Sequence, residues 1–116
     1  KRAMTKDLLP GFWDTSVGGH IHYGESVESA LSREACEEVG LSAFESTFLR
    51  KYIWESNREK ELVYSYKGTS NSFPVIDRNE IEEGRFWSLK EIHENIGRNI
   101  FTPNFEYELN MIIVTF

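Results

Sequence analysis

One stretch constrains this chain more than any other. Between Glu25 and Glu45 stand six acids, Glu25, Glu28, Glu34, Glu37, Glu38 and Glu45, against the single base Arg33, so that stretch carries −5 of the chain's net charge of −6. Its pattern is helical. Ser26 is an N-cap residue and Gly40 a natural helix terminator, which places Val27 to Val39 on one helix. Val27, Ala30, Leu31 and Ala35 recur at helical spacing as its apolar positions. At about 100° per residue, Glu34, Glu37 and Glu38 fall within one third of the circumference, on an arc that overlaps Leu31 and Ala35. Three carboxylates are therefore expected to face inward, where like charges are costly unless a proton, a base or a metal neutralises them. Arg33 can pair with Glu37 one turn on, but one cation does not balance three anions.

The rest of the chain reads as a small mixed domain. With 116 residues, 40% of them hydrophobic and 28% charged, the composition is that of a globular fold. No repeat, low-complexity tract or Pro/Ser-rich linker appears, so one domain over residues 1–116 is expected. Cys36 is the single cysteine, which excludes an intrachain disulfide or a multi-cysteine zinc site and suits a reducing cytosol. No apolar run has the length of a membrane span, and no signal-like segment opens the chain, so a cytoplasmic protein with no membrane partner is expected. The chain begins with Lys1, and its natural start is expected upstream, which would leave a first strand truncated. Pro10-Gly11 marks a turn, and residues 20–23 continue in an extended, alternating style. Thr47 to Trp54 and Leu62 to Lys67 read as a hairpin around the polar Asn57-Arg58-Glu59-Lys60. Arg85 to Trp87 reads as a further short strand, followed by a helix whose capping box is Ser88 with Glu91. Thr102-Pro103 opens a last helix with one face formed by Phe105, Leu109, Ile112, Ile113 and Phe116. This order predicts a layered α/β domain.

A generic run of glutamates is a solvated helix face, and only its surroundings can overturn that reading. Hard oxygen ligands from one short stretch, with no neighbouring cysteine array, suit Mg²⁺ or Mn²⁺. Gly19, five residues, Glu25, seven residues, Arg33-Glu34, two residues, Glu37-Glu38, one residue and Gly40 together match the complete signature of the Nudix hydrolases, which the chain resembles. Seven named residues at fixed spacing match by chance on the order of 10⁻⁷ times per chain of this size. The resemblance implies an α/β/α sandwich with a mixed sheet, and a reaction that cleaves a diphosphate linked to another moiety, often a nucleoside. It implies metal ligation by Glu34, Glu37 and Glu38 with the Gly18 carbonyl, an Arg33 that orients the glutamates, and a Glu25 that steadies the loop against the helix. The general base comes from the box, with Glu38 first, or from a later stretch in which Glu82 and Glu83 are the candidates. The implied partner is a small, nucleotide-derived diphosphate rather than long nucleic acid, and many relatives are homodimers.

Phe12 to His20, with Gly24-Glu25-Ser26, also resembles the branch that includes isopentenyl diphosphate isomerase. That isomerase has a catalytic cysteine where this chain has Gly18 and a metal-binding histidine where it has His20. Cys36 lies inside the helix, roughly opposite the glutamate arc, and does not substitute. A third reading is a non-catalytic module that binds a nucleotide metabolite, against which the intact glutamate set argues. His20 and His22 alternate at the mouth of the expected site, where a structural hydrogen-bonding role competes with one at metal or phosphate. Tyr52, Trp54, Tyr64 and Tyr66 read as packing residues before they read as a stacking platform. Arg2, Lys6, Arg50 and Lys51 are surface charges that could meet phosphate.

Overall fold

The computed structural model describes residues 1–112. Helix α1 runs Val27–Val39, as its caps and spacing predict. The Ser26 hydroxyl accepts from the Ser29 N–H at 3.1 Å, and Gly40 ends the helix at φ +66°, a left-handed conformation that favours glycine. Ala30, Ala35 and Val39 are buried beneath it. Strands β1 (Glu45–Glu55) and β2 (Lys60–Thr69) pair antiparallel, with Tyr52 opposite Val63 and an irregularity between Phe48 and Arg50. Strand β2 reaches two residues further at each end than alternation alone predicts, and β1 two further at its start and one at its end.

Helix α2 spans Leu89–Asn95 behind the expected capping box: Ser88 accepts from the Glu91 N–H, and the Glu91 carboxylate accepts from the Ser88 N–H. Helix α3 spans Pro103–Ile112. Thr102, only 1% exposed, begins it by accepting from the Phe105 N–H at 3.3 Å and donating its hydroxyl to Asp14 at 3.0 Å. Leu109 and Ile112 are buried on the expected face, while Ile113 and Phe116 lie outside the described residues. Four aromatic rings, Trp13, Trp87, Phe101 and Phe105, stack in sequence with centroids 5.1–5.2 Å apart and fasten the N-terminal segment to the start of α3.

Two expected strands are irregular, for reasons visible in their hydrogen bonds. Around residues 20–23 the backbone groups are claimed by side chains: the His20 carbonyl accepts from Arg33, and the His22 N–H donates to Glu25. At 85–87 the Arg85 guanidinium lies 3.6 Å over the Trp87 ring and also pairs with Glu91, so side-chain contacts organise this stretch in place of a ladder. The parallel component of the expected mixed sheet is a single bridge, Trp13 with Phe101, and Arg2 pairs with Ile81 in an isolated antiparallel bridge. Helices packed with an antiparallel hairpin nonetheless make an α/β fold. The hairpin is joined to α3 by Glu108, whose two carboxylate oxygens accept from the Tyr52 and Ser65 hydroxyls at 2.6 Å each.

Candidate metal centre

Arg33 fixes the loop before α1 to the helix. Arg33 donates through Nε and Nη2 to both oxygens of Glu25 at 2.9 and 3.1 Å, a bidentate pairing that only a guanidinium can make. Its Nη1 donates to Glu34 at 2.7 Å and to Glu37 at 3.3 Å, and its Nη2 also donates to the His20 carbonyl at 2.9 Å. Glu25 further accepts from the His22 N–H at 3.0 Å. The Arg33 hydrogen bonds, followed by the one from His22, pull the Glu25 carboxyl down to about 2. The same carboxylates raise the Arg33 guanidinium further above its ordinary range. Glu25 and Arg33 thus tie the loop to the helix.

Gly19 is a glycine because of Glu34. A Cβ at position 19 would fall 2.2 to 2.6 Å from the Glu34 carboxyl atoms, well inside contact distance. Gly18 faces the other carboxylate, its N–H donating to Glu38 Oε2 at 3.0 Å. Burial pushes the Glu38 carboxyl up to about 7, against the Gly18 N–H; the charges of Glu34 and Glu80 add to the rise and that of Lys6 opposes it. Glu34 and Glu38 are largely covered, but the Glu37 side chain is 59% exposed, so the expectation of three inward carboxylates holds for two of them. The reason is rotational: Glu37 sits at the margin of the arc, where it reaches Arg33 across the surface.

The remaining candidates separate. His20 is exposed with Nε2 3.7 Å from Glu61, and His22 is exposed with Nδ1 4.0 Å from Glu25. Glu82 and Glu83 meet the chain start through their backbones, the Glu82 N–H donating to the Lys1 carbonyl and the Lys1 ammonium to the Glu83 carbonyl. From that stretch it is Glu80 whose charge reaches Glu38, a residue that sequence reasoning passed over. Its one sequence signal was proximity to Glu82. Cys36 is exposed on α1.

Among the described residues, no three His, Cys, Asp or Glu side chains already converge as a metal cage. Arg33 holds the carboxylates meanwhile. The donor set nevertheless fits a hard divalent cation: Arg33 gathers Glu25, Glu34 and Glu37, Glu38 lies against the Gly18 N–H, and the four carboxylates outnumber the one guanidinium, with the Gly18-Gly19 backbone against two of them.

The model of the NUDIX domain matches residues 1–105. The chain belongs to the Nudix family. Similar proteins include isopentenyl-diphosphate Delta-isomerase 1 of Photorhabdus laumondii, 30% identical over 93% of this chain and 66% of that one. A Nudix hydrolase of Deinococcus radiodurans is 31% identical over 84% of this chain and 58% of its own length. The Nudix chain described here thus spans about two thirds or less of these relatives. Its fold matches the crystal structure of DR0079 from Deinococcus radiodurans with a TM-score of 0.81, at 24% identity over 96% of this chain and 70% of that one. Among the described residues of this Nudix chain, no helix is long and apolar enough to cross a membrane.

Proposed function

We propose that this chain is a Nudix hydrolase that uses Mg²⁺ or Mn²⁺ to cleave a diphosphate bond in a nucleoside diphosphate linked to another moiety, by attack of water at phosphorus. One observation carries the reading: two covered carboxylates, Glu34 and Glu38, flank the Gly18-Gly19 backbone while Arg33 gathers Glu25, Glu34 and Glu37. Glu34, Glu37, Glu38 and the Gly18 carbonyl would hold the metal, which supplies charge neutralisation and activation of water. Arg33 orients Glu34 and Glu37, and Glu25 fixes Arg33. Glu38, set in place by the Gly18 N–H, is positioned to take the proton of the attacking water.

Similarity to an isopentenyl-diphosphate isomerase supports a second reading, double-bond isomerisation. Gly18 opposes it, since a glycine offers no acid where the resemblance places the catalytic cysteine, and the one cysteine lies on α1. Incubation with Mg²⁺ and a panel of nucleoside diphosphate derivatives tests the choice. The hydrolase reading expects nucleotide or phosphate release that chelator abolishes and that Glu38→Gln lowers by about 10²–10⁴ in kcat. Isomerisation of a prenyl diphosphate without phosphate release overturns it. Binding without turnover identifies a metabolite-binding module instead.

A further inference from the structure

The loop that carries Gly18 and Gly19 leaves the body of the fold after Trp13 and rejoins it at Glu25, and a carboxylate holds each end. At the far end Glu25 takes two hydrogen bonds from Arg33. At the near end stands Asp14, a residue outside the glutamate signature. Its Oδ1 accepts from the Thr15 N–H at 2.7 Å, the Thr102 hydroxyl at 3.0 Å and the Asn104 side-chain amide at 3.4 Å. Its Oδ2 accepts from Arg2 Nη1 at 3.3 Å. Donors from the chain start, the loop and the start of α3 thus converge on one carboxylate, which is 22% exposed. Only a carboxylate offers that many acceptor sites and no competing donor.

The backbone brings Asp14 to this place and then leaves the loop to side chains. The Trp13 N–H donates to the Ile100 carbonyl and the Thr102 N–H to the Trp13 carbonyl, both at 2.9 Å. Among the described residues, residues 15–19 make no backbone-to-backbone hydrogen bond. The Thr15 hydroxyl donates to the Val17 carbonyl at 3.5 Å, and a Cβ at position 18 would lie 3.6 Å from that hydroxyl, so Thr15 rests against Gly18. The Gly18 N–H in turn donates to Glu38 at 3.0 Å. A loop with no ladder of its own takes its conformation from its anchored ends and from such side-chain contacts.

We propose that Asp14 is the positioning residue of this loop: through Oδ1 it fixes Thr15 to the start of α3, and so sets where Gly18 holds its carbonyl and its N–H. The proposal rests on the metal-centre reading of that carbonyl. The two carboxylate oxygens separate its terms. Oδ1 joins the loop to α3, whereas Oδ2 serves Arg2, so an asparagine that keeps an oxygen at Oδ1 preserves the positioning and gives up only the charge.

The test measures Mg²⁺ binding by calorimetry and, in the metal-free protein, hydrogen exchange of the Gly18 amide by NMR. Asp14→Ala is expected to weaken Mg²⁺ binding about 10-fold and to speed Gly18 exchange about 5-fold. Asp14→Asn is expected to stay within about 3-fold of wild type in both. Thr102→Val, which deletes one donor to Oδ1, is expected to weaken Mg²⁺ binding about 3-fold and stands in for the alanine variant if that one does not fold. Glu108→Ala, which loosens the hairpin from α3 away from the loop, is expected to lose stability and keep the wild-type Mg²⁺ affinity. Wild-type affinity and Gly18 exchange in Asp14→Ala, or in Thr102→Val where the alanine variant does not fold, overturn the proposal. An asparagine variant as impaired as the alanine one overturns it too, as does an equal loss of affinity in Glu108→Ala. Asp14-dependent Mg²⁺ binding by a protein that hydrolyses nothing upholds the positioning role and removes the hydrolase reading. A wild-type protein that binds no Mg²⁺ removes the metal reading, and Gly18 exchange then decides by itself whether Asp14 holds the loop.

Discussion

Gly19 lies against the Glu34 carboxylate, so a single methyl group there has a local and measurable effect. Gly19→Ala puts its Cβ where the Glu34 carboxyl stands, but that carboxyl is the free end of a flexible side chain and can swing away. Stability is therefore expected to change by less than about 1 kcal/mol, as for most exposed positions, while Mg²⁺ affinity measured by calorimetry falls at least ~10-fold. A large loss of stability with unchanged Mg²⁺ affinity would contradict this account. Glu25 provides a pH test. Its carboxyl is depressed from an ordinary 4.5 to about 2, so the stabilisation from its contact with Arg33 is fully present above 4.5. That stabilisation is lost as pH falls from 4.5 through about 2. Carbon NMR of the Glu25 carboxyl should show a midpoint near 2, moving into the ordinary carboxylate range in Arg33→Ala. Sequence spacing alone pointed to Gly19, Glu25 and Arg33, but not to the reason for Gly19, which lies fifteen residues away in sequence on another element.

The elements were legible to the extent that their signals were local. Helix α1 follows from Ser26, Gly40 and the apolar spacing between them, and α2 from a capping box contained within four residues. The extended stretches at 20–23 and 85–87 form no ladder because side chains organise them instead, Arg33 and Glu25 at the first and the Arg85 contacts with Trp87 and Glu91 at the second. The attachment of the hairpin to α3 was equally unreadable, since Tyr52, Ser65 and Glu108 are far apart in the chain. Ser65 is 3% exposed and donates to Glu108, so Glu108→Ala leaves a buried hydroxyl without that acceptor. A cost of about 1–3 kcal/mol in urea unfolding is expected. A variant as stable as wild type would show that the strut contributes nothing.

For the whole molecule the dominant fact is charge placement. A net charge of −6 suggests a protein that repels polyanions, yet −5 of it lies between Glu25 and Glu45, where three of the carboxylates surround one guanidinium. A ligand that binds only the folded state raises its stability, by about 2.7 kcal/mol at a hundredfold excess over Kd. Mg²⁺ is therefore expected to raise the thermal midpoint, with chelator reversing the shift and Glu34→Gln together with Glu38→Gln abolishing it. An equal rise in the double variant would place the cation elsewhere. The sequence by itself determined the family signature, the α1 helix and the kind of cation its oxygen ligands suit, because each is encoded in short-range spacing. Only the tertiary structure decided that Glu37 stays at the surface and that Glu80, paired with Lys6, stands beside the Glu38 end of α1. Those placements depend on the Asp77 turn docking on the end of α1 and on the chain start pairing with it, contacts between residues 39 to 77 apart in the chain that leave no local pattern.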